Sequence, residues 1–530
     1  MANVEPTSSD LKPVVWSIAG SDSGGGAGIQ ADLATMNDLA CHACTVITTL
    51  TAQSSVAVNL VEPVSDEMLR AQLDTLLQDL PPKAIKIGLL ANQQQIDILS
   101  RWLALDLDDH NKRSGTEVAV ILDPVMIASC GDRLDGDGLD RDGKRLDFSP
   151  FKGLITLITP NAFELGELVG QTLTDMSQYH LAAQNLSLSL DTNVLAKGGD
   201  KGPAWRADAA QDIFVCTHAT ACSAMHLGRS FLLSSPRIAS NNNHGSGCTL
   251  SAAIASVMAS GFVLHDAIVV AKAYVSAGIK YSYRVGEGPG PLARTGWPRE
   301  LSHFPTISSL DEGPSLPVGI KFKTIGERLG LYPVVSDLPL LASLLKAGAK
   351  TIQLRIKDEN DPQLEDKIAQ AIALGRDYQA KVFINDYWQL ALKHNAYGVH
   401  LGQEDLYDAD LKRIADAQLA LGISSHSYFE LLLAAQITPS YIALGHIFPT
   451  TTKVMPSAPQ GLMKLQHYVD LFKGHYPLVA IGGIDASHIE TVKRTGVDDV
   501  AVVRALSESE QPGAAYLALS SAWEQANVSQ

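Results

Sequence analysis

Short apolar runs rich in β-branched residues recur along almost the whole chain, and helix-compatible segments separate them. In the first half, such runs occupy residues 14–19, 84–87, 118–122 and 154–158. Strands that are buried on both faces read as continuous apolar runs, and helical crossovers between them produce parallel sheets. The alternation therefore predicts an α/β protein.

The alternation lapses over residues 285–320, where Gly, Pro and Ser dominate. Such a composition disfavours both periodicities and is typical of a linker or a domain edge. Because 530 residues exceed what one hydrophobic core usually holds, two domains are expected. We expect a tail at 1–11, a first domain at 12–295, a linker at 296–324 and a second domain at 325–530.

The two halves predict different architectures. After the linker, eight strand-like runs follow one another, each succeeded by a helix-compatible segment, which matches a small (β/α)8 TIM barrel. The first domain has glycine-rich turns near its start and its end, and its strand-like and helix-like segments are spaced differently. That spacing favours an open three-layer α/β sandwich.

Charge and composition exclude several classes of function. The formal net charge of −16 argues against a nucleic-acid binder, which needs a basic face. No long uncharged apolar stretch indicates a membrane span, and the N-terminus does not read as a secretory signal. The six cysteines are sparse, and the Cys41–Cys44 pair has no second pair to complete a metal site. A reducing compartment, the cytoplasm, is therefore expected.

Two glycine-rich segments suggest a phosphate site in the first domain. Residues 18–32 read IAGSDSGGGAGIQAD, which a tight strand-to-helix turn would also explain. Residues 243–253 read NHGSGCTLSAA, where a Gly-Ser-Gly turn opens a helix whose N–H groups and dipole favour negative charge. Cys248 lies at that helix start, where the pKa of a thiol tends to fall, so it is a candidate base. A buried small residue and a cysteine nucleophile remain alternatives.

Two further motifs suggest a nucleotide-binding site. In TPNAFE, Asn161 and Glu164 are three residues apart, on one face of a helix that begins there, which suits a magnesium water shell. In VLAKGGD, Lys197 follows a strand and precedes two glycines, within plausible reach of ATP phosphates. Taken singly, each could be a helix cap or a solvated charge.

Together with ITTLTAQSS, KIGLL and LDPVM, these motifs resemble the ribokinase-like family, and within it the hydroxymethylpyrimidine and phosphomethylpyrimidine kinases. The resemblance implies two successive phosphorylations of a pyrimidine alcohol with Mg-ATP. It implies that Cys248 is the base in an anion hole and that Gln53 hydrogen-bonds the aminopyrimidine. The implied pyrimidine pocket also includes Gly20, Asp22, Ala27 and Val125, with Asp22 near the hydroxymethyl group. The implied ATP and magnesium residues are Asp123, Asn161, Glu164, Lys197, Gly245 and Gly247.

Two features depart from this family pattern. Leu89 stands where the family often has Met, and the acidic stretch 130–147 is longer than expected, which we interpret as a lid or an insertion. Pyridoxal kinases share the fold, so a pyridoxal-type substrate is the nearest alternative for this domain.

In the second domain, polar and charged residues cluster at the expected C-terminal strand ends, where TIM barrels hold their active sites. Alternation puts Gln353, Arg355 and Lys357 on one face of their strand. Arg355 could also pair with Asp386 merely to satisfy a buried charge. Two carboxylates can hold Mg²⁺, and cations can neutralise a departing diphosphate without any general base.

QLRIKD, FINDYW, YGVHLGQEDL, LGISSH, ALGHIFPTTTKVMPSAPQGL and AIGGI resemble the thiamine-phosphate synthases, in family order. The resemblance implies that hydroxymethylpyrimidine diphosphate joins a thiazole phosphate through a carbocation-like pyrimidine, releasing diphosphate. The residues implied to bind the pyrimidine diphosphate are Gln353, Leu354, Arg355, Ile356, Lys357, Asn385, Ser424 and Lys453. Of these, Arg355, Lys357 and Lys453 carry the catalytic charge. The implied magnesium ligands are Asp386 and Asp405. The implied thiazole-phosphate residues are Thr450, Thr451, Thr452, Gly482, Val503 and Arg504.

Arg504 stands where this second family commonly has serine, so it could strengthen or block the phosphate contact. The leading hypothesis is a bifunctional biosynthetic enzyme that uses small-molecule substrates, ATP and Mg²⁺. The alternative is a chain in which one domain only binds a ligand and regulates. Both families often form homo-oligomers, and the sequence leaves the oligomeric state open.

Overall fold

The computed structural model describes residues 12–126, 145–199, 205–216, 229–311, 316–317, 319–326, 328–450 and 458–526. The chain divides into two compact units, Met1–Glu312 and Gly313–Gln530. The division falls inside the interval 296–324 that was expected to be a linker. The acidic stretch lies outside the described residues up to residue 144, as do Thr451, Thr452 and Lys453.

The first unit is built on one mixed sheet. Its elements are β1 (Val14–Asp22), α1 (Gly28–Asp38), β2 (His42–Gln53), β3 (Val58–Pro63), α2 (Asp66–Asp79), β4 (Ala84–Ile87), α3 (Gln93–Trp102), α4 (Asp108–Ser114), β5 (Ala119–Leu122), β6 (Leu157–Ile158), α5 (Ala162–Val169), α6 (Met176–Leu190), β7 (Asn193–Gly198), β8 (Ala209–Val215), β9 (Ser230–Pro236), α7 (Ser246–Ala259), α8 (Leu264–Lys280) and β10 (Thr306–Ser309). The described strands follow the order β10-β9-β8-β7-β6-β5-β4-β1-β2-β3. Strands β2, β1, β4, β5, β6 and β7 are parallel, and antiparallel strands flank them.

Helices cover both faces of this sheet, so the expected three-layer sandwich is confirmed. On one face, α2, α3 and α6 pack on a large apolar core that includes Trp16, Ile18 and Trp102. On the other face, α1, α7 and α8 pack together, and α7 lies against β4 and β5. Helix α7 can approach the sheet closely because its buried residues are mostly Ala and Ser.

Part of the expected linker belongs to the first sheet. Residues Thr306–Ser309 form β10, which pairs antiparallel with β9. Trp297, also in that interval, contacts Phe262 with a ring-centroid distance of 5.2 Å. Because of the Gly and Pro content around these residues, the sequence pattern did not predict this short edge strand. The strand carries one buried apolar side chain, Ile307.

The second unit is a closed barrel. Its elements are β11 (Leu331–Val335), α9 (Leu338–Lys346), β12 (Thr351–Leu354), α10 (Leu364–Asp377), β13 (Lys381–Asn385), α11 (Trp388–Lys393), β14 (Gly398–Leu401), α12 (Leu411–Asp416), β15 (Ala420–Ser425), α13 (Tyr428–Ile437), β16 (Tyr441–Leu444), α14 (Gly461–Phe472), β17 (Leu478–Ala480), α15 (Ile489–Arg494), β18 (Asp499–Val502), α16 (Arg504–Ser507) and α17 (Pro512–Gln525). The described strands run β11 to β18 in order, all parallel, and β18 closes on β11. The TIM-barrel prediction is confirmed.

Aromatic side chains fill the barrel interior. Tyr332, Phe383 and Tyr441 are buried there, with aliphatic residues such as Val334 and Val479 around them. A packed interior leaves polar chemistry to the strand ends. Among the helices that the structure describes, none is long and apolar enough to cross a bilayer.

Candidate active sites

Two glycine-rich loops of the first unit contact each other directly. One follows β1, and the other precedes α7. A Cβ atom on Gly26 would lie 2.0 Å from Cδ2 of His244, and one on Gly245 would lie 2.0 Å from the Gly26 carbonyl oxygen. Gly245 also has a φ of 74°, a conformation that favours glycine. Glycine is therefore required at both positions for the loops to meet.

Asp22 fastens these loops together. Its carboxylate accepts backbone N–H donors at 2.8 to 3.0 Å from Gly24, Gly26 and Ala27. Nε2 of His244 lies 3.2 Å from its Oδ2. Burial alone would raise the pKa of Asp22, but His244 and the loop N–H groups outweigh burial and lower it. The expected place of Asp22 near a hydroxymethyl group stays a prediction beside this loop-fixing role.

Cys248 lies where two helices begin. It is the third residue of α7, and the backbone N–H of Gly28, the first residue of α1, donates to its sulfur. The expected lowering of the thiol pKa at this helix start is wrong. Burial raises the pKa of Cys248 to about 11, despite the opposing charge of Lys86. Cys248 is thus a protonated thiol at neutral pH, and its role as a base stays a prediction.

A buried ion pair lies close to this thiol. Nζ of Lys86, on β4, is 2.7 Å from Oδ2 of Asp32, on α1, and both side chains are 0% exposed. The Ser17 hydroxyl donates to the same oxygen at 2.6 Å. Burial opposes the charge of Lys86, but Asp32 and then Cys248 outweigh it and raise the pKa of Lys86. A permanent positive charge therefore lies near Cys248.

Three charged residues of the expected nucleotide site meet beside the second glycine loop. Nζ of Lys197 lies 2.7 Å from Oδ1 of Asp123 and 3.9 Å from Oε2 of Glu164. A Cβ atom on Gly247 would lie 3.2 Å from Nζ of Lys197, so the Gly-Ser-Gly turn borders this cluster. Burial raises the pKa of Glu164 to about 7, although Lys197 opposes that shift. The structure thus brings these four predicted residues together.

Asn161 and Glu164 serve first as a helix cap. Oδ1 of Asn161 accepts the Glu164 N–H at 2.9 Å, and Oε2 of Glu164 accepts the Asn161 N–H at 2.7 Å. This capping box fixes the start of α5. The capping box already uses Oδ1 of Asn161 and Oε2 of Glu164. The expected contact of these two residues with a magnesium water shell stays a prediction.

The expected pyrimidine pocket has one apolar wall. Leu89 is buried and packs with Val58, Val61 and Val125. A Cβ atom on Gly20 would lie 3.1 Å from Cδ2 of Leu89. The structure therefore brings Gly20 and Val125 to the same wall, and Leu89 takes part in it. Gln53 ends β2 and Ala27 precedes α1, as the N-cap residue.

In the second unit, polar side chains form a row across the ends of β12 and β13. Nε2 of Gln353 donates to Oδ1 of Asn385 at 2.7 Å, and Nδ2 of Asn385 donates to Oδ2 of Asp386. Gln353 and Asn385 are buried, whereas Asp386 is exposed. Asp386 has a φ of 63°, which Asp tolerates better than most residues. The row connects the barrel interior to its mouth.

Exposure increases along the segment that leaves β12. Leu354 is buried, Arg355 and Ile356 are half-buried, and Lys357 is exposed. The two cations therefore follow the strand out of the barrel toward solvent. This arrangement suits a charged ligand that lies at the mouth with one end in the barrel.

Two carboxylates follow neighbouring strands. Asp386 comes directly after β13, and Asp405 lies in the turn after β14, where its Oδ2 accepts the Gly402 N–H at 3.0 Å. Mg²⁺ is commonly held by one or two carboxylates together with water and substrate phosphate oxygens. The donor chemistry of Asp386 and Asp405 fits that arrangement.

Ser424, at the end of β15, is held by a histidine. Nε2 of His400 lies 2.8 Å from Oγ of Ser424, and Nδ1 of His400 lies 2.8 Å from the Tyr441 hydroxyl. Burial and, to a lesser extent, the charge of Arg355 lower the pKa of His400 to about 3. The imidazole is therefore neutral at physiological pH.

The expected thiazole-phosphate residues are only partly described. Thr450 is half-buried, whereas Thr451, Thr452 and Lys453 lie outside the described residues. A Cβ atom on Gly482, whose φ is 103°, would lie 2.4 Å from Cβ of His446, so the segments after β16 and β17 touch. Val503 and Arg504 are half-buried at the start of the short helix α16.

Comparisons with known proteins agree with this division. A family model described as phosphomethylpyrimidine kinase matches residues 22–293, and one described as thiamine monophosphate synthase matches residues 331–506. The thiamine-phosphate synthase of Citrobacter koseri is 56% identical over 189 residues, which are 36% of this chain and 89% of that protein. The chain belongs to both families.

Two further relatives illustrate the match. The thiamine-phosphate synthase of Pectobacterium atrosepticum is 57% identical over 188 residues, covering 36% of this chain and 88% of that protein. A structure of Staphylococcus aureus pyridoxal kinase with AMP-PCP and pyridoxal has a TM-score of 0.45 and 24% identity, covering 57% of this chain and all of that one. The family membership confirms a bifunctional enzyme of thiamine biosynthesis with a kinase and a transferase domain.

Sequence reasoning missed several polar residues of both domains. In the kinase domain these are His244, Asp32 and Lys86; in the synthase domain they are His400 and Tyr441. Lys86 and His400 share a signal that was available, since each is a lone polar residue inside an otherwise apolar strand. Such a residue is expected to have a buried partner, because burying an unpaired polar group is costly.

Proposed function

We propose that the kinase domain phosphorylates the hydroxymethyl group of an aminopyrimidine twice with ATP, and that the synthase domain joins the diphosphate to a thiazole phosphate. The observation that carries the proposal is that each domain gathers anion-binding groups at one place. In the kinase domain, two helix N-termini and two lysines surround Cys248 and the second glycine loop. In the synthase domain, cations and carboxylates follow neighbouring strands of one barrel mouth.

In the kinase domain, the N–H groups of the second glycine loop stabilise the phosphoryl group as it is transferred. Gly245 and Gly247 permit close backbone approach, and Lys197 binds the ATP phosphates. The substrate oxygen forms a bond to the γ-phosphorus while the bond to the ADP oxygen breaks. The hydroxyl proton passes to Cys248, whose thiolate Lys86 stabilises.

Magnesium, when bound with ATP, supplies positive charge to the phosphates. We propose that Asp123, Asn161 and Glu164 contact its water shell and do not ligate it directly, because the capping box and the ion pair with Lys197 occupy their oxygens. The pyrimidine lies against Gly20, Ala27 and Val125. Gln53 hydrogen-bonds its amino group, and Asp22 holds the loop near its hydroxymethyl group.

In the synthase domain, Arg355, Lys357 and Lys453 bind the diphosphate, and the segment from Leu354 to Ile356 supplies backbone contacts. Gln353, Asn385 and Ser424 orient the pyrimidine. Asp386 and Asp405 would hold Mg²⁺, which, when bound, neutralises charge on the leaving diphosphate.

The reaction follows from this arrangement without a general base. The carbon–oxygen bond breaks, both electrons leave with the diphosphate, and the residual cation is stabilised by the ring. The thiazole nitrogen then donates its lone pair to the carbon. Thr450, Thr451, Thr452, Gly482 and Val503 bind the thiazole phosphate, and we propose that Arg504 adds a cationic contact to it.

A coupled assay tests the proposal. Purified protein with the pyrimidine alcohol, thiazole phosphate and Mg-ATP should form thiamine phosphate and two ADP per product. Without thiazole phosphate, the pyrimidine diphosphate should accumulate. Failure to form thiamine phosphate would overturn the bifunctional assignment. Faster turnover of pyridoxal than of the pyrimidine alcohol would favour the pyridoxal-type alternative, and turnover by only one domain would favour the regulatory one.

We further propose that the enzyme works in the cytoplasm on small molecules, without nucleic-acid or membrane partners, and as a homo-oligomer in common with its families. The acidic net charge and the nature of the substrates support this. Cys216 is disulfide-bonded, however, which is uncommon in a reducing compartment. Thiol titration of protein prepared with and without reductant, and sedimentation of the purified protein, test these two proposals.

A further inference from the structure

A chain of four polar side chains crosses the interior of the synthase barrel. The hydroxyls of Tyr332 and Tyr441 lie 2.9 Å apart, and the Tyr441 hydroxyl lies 2.8 Å from Nδ1 of His400. Nε2 of His400 lies 2.8 Å from Oγ of Ser424. Tyr332, Tyr441 and His400 are at most 6% exposed, whereas Ser424 is half-buried at the strand end. The chain therefore begins in the core and ends at the mouth.

The barrel register makes room for this chain. His400 on β14 is opposite Gly422 on β15, and Gly422 is opposite Tyr441 on β16. A Cβ atom on Gly422 would lie 2.4 Å from the Tyr441 hydroxyl oxygen. The missing side chain lets Tyr441 reach across β15 and stack on His400 at a ring-centroid distance of 5.6 Å. A glycine inside a strand often marks such a close approach.

The two hydrogen bonds of the His400 ring must run in the same donor-to-acceptor direction along these four side chains. It is buried, and its two ring nitrogens lie against the hydroxyl groups of Tyr441 and Ser424 and not against a carboxylate, which favours the neutral imidazole. A neutral imidazole has one N–H and one lone pair. Either Tyr441 donates to Nδ1 and Nε2–H donates to Ser424, or Ser424 donates to Nε2 and Nδ1–H donates to Tyr441.

The hydroxyl of Tyr332, at the core end of this row of side chains, decides between the two directions. In the first direction, Tyr332 donates to Tyr441, Tyr441 to His400 and His400 to Ser424, so every buried donor has an acceptor. In the second direction, Tyr441 donates to Tyr332, whose own hydrogen then has no acceptor among the described residues. Buried donors are nearly always paired. The first direction is therefore favoured.

We propose that Tyr441 and His400 are positioning residues that make the Ser424 hydroxyl a hydrogen-bond donor toward the pyrimidine diphosphate. Because Ser424 receives the His400 N–H, its own hydrogen is free for an acceptor at the barrel mouth. The ligand acceptors of that type are a pyrimidine nitrogen and a diphosphate oxygen. The inference rests on the proposed synthase function, and it assigns a direction to one contact of that site.

The variant Tyr441→Phe tests the chain by activity. It removes the donor to Nδ1, so either tautomer of His400 becomes accessible and Ser424 can turn toward the histidine. We expect kcat/KM for the pyrimidine diphosphate to fall about tenfold, the loss of roughly one oriented hydrogen bond, with little change in KM for the thiazole phosphate. Tyr476→Phe is the matched control, since its hydroxyl binds the Ala435 carbonyl away from the chain and should not affect the rate.

A double-mutant cycle shows whether the effect passes through Ser424. If it does, Tyr441→Phe should have almost no further effect in a Ser424→Ala background. His400→Gln, which keeps a donor toward Ser424, should retain more activity than His400→Leu. Additive losses, or equal losses in the two His400 variants, would show that Tyr441 and His400 act only through packing and would overturn the proposal.

The tautomer can be measured without any substrate. In protein labelled with ¹⁵N-histidine, His400 should carry its proton on Nε2 in the wild type and lose that preference in Tyr441→Phe. A proton on Nδ1 in the wild type would contradict the proposal even if the enzyme is active. Inactive wild-type protein with the expected tautomer would instead contradict the synthase function and leave the hydrogen-bond direction intact.

Discussion

The two proposed active sites gather anion-binding groups of different kinds. In the kinase domain, the site is mainly backbone: two glycine loops and two helix N-termini meet, and Asp22 fastens them. The nearby charges are buried and paired, as Lys86 is with Asp32 at 2.7 Å. In the synthase domain, side chains at strand ends supply the cations and carboxylates, and exposure rises from Leu354 to Lys357.

This difference suits the two reactions. Phosphoryl transfer needs donors that are fixed before the charge develops, and backbone N–H groups reorganise little. Diphosphate release needs a site that accepts a large, highly charged leaving group and then lets it go. Half-buried Arg355 and exposed Lys357 lie between the barrel interior and solvent, where a leaving group can depart. Variants should therefore act within one domain and leave the other reaction intact.

The largest expected effect is that of Asp386→Ala. Loss of a carboxylate that would hold Mg²⁺ should lower synthase kcat/KM on the order of 100- to 1,000-fold, as for loss of a main electrostatic group. The kinase reaction, followed by ADP release, should not change. Lys393→Ala, which removes a surface ion pair with Glu365, is a matched control on the outside of the barrel. Equal loss of both reactions in a folded protein would contradict the division of labour.

Next in size is Cys248→Ala. Loss of a general base typically costs about 100-fold or more in rate, so phosphorylation should fall by that order while synthesis from supplied diphosphate continues. Cys41→Ala, a buried cysteine elsewhere in the same domain, controls for the loss of a thiol. Because the pKa of Cys248 is raised to about 11, wild-type activity should still increase with pH above neutrality. A flat profile there would argue that another group takes the proton.

A smaller effect on rate but a clear one on stability is expected for Lys86→Met. It leaves the buried Asp32 without its partner, which typically costs roughly 3–5 kcal/mol of unfolding free energy. Adding Asp32→Asn should restore most of that stability, because no uncompensated charge remains and Ser17 keeps an acceptor. Denaturant unfolding of the kinase domain measures the free energy of unfolding of the single and the double variant. If phosphorylation also recovers in the double variant, Lys86 has only a structural role.

The comparison also shows what the sequence could predict. Fold class and the eight barrel strands followed from hydrophobic runs, because burial on both faces determines those patterns. The proposed site positions came from the motifs and stay predictions. The partners of Lys86 and His400 did not follow. Asp32 lies 54 residues from Lys86 and Tyr441 lies 41 residues from His400 along the chain. Only the register of the folded sheet and barrel brings each pair together.

The error about Cys248 has a related cause. A helix N-terminus lowers the pKa of a thiol that faces solvent, and the motif revealed the helix start correctly. The motif did not reveal that the start of α1 donates a hydrogen bond to the sulfur or that the buried carboxylates of Asp32 and Asp123 act on it, in surroundings where desolvation dominates. Burial is a property of the packed layers, so a local pattern does not report it.

The smallest expected effect concerns the pH dependence of Glu164. Its pKa is about 7 in the folded protein against an ordinary value of 4.5. Between these values the folded state keeps a proton that the unfolded state loses, so the free energy of unfolding should decrease as the pH rises through this window. Glu164→Gln keeps an acceptor for the Asn161 N–H and should remove this component while preserving the cap, whereas Glu164→Ala should also lose the cap.

The same substitution separates a structural role from a role in ATP binding. If Glu164 contacts the magnesium water shell, the KM for Mg-ATP of the wild type should rise as Glu164 becomes protonated below pH 7, and the Gln variant should show the higher KM at every pH. A wild-type KM that does not vary between pH 6 and 8 would leave Glu164 as a helix cap alone. In that case backbone N–H groups would make a still larger share of the ligand contacts in the kinase domain, and the difference from the side-chain site at the barrel mouth would be greater.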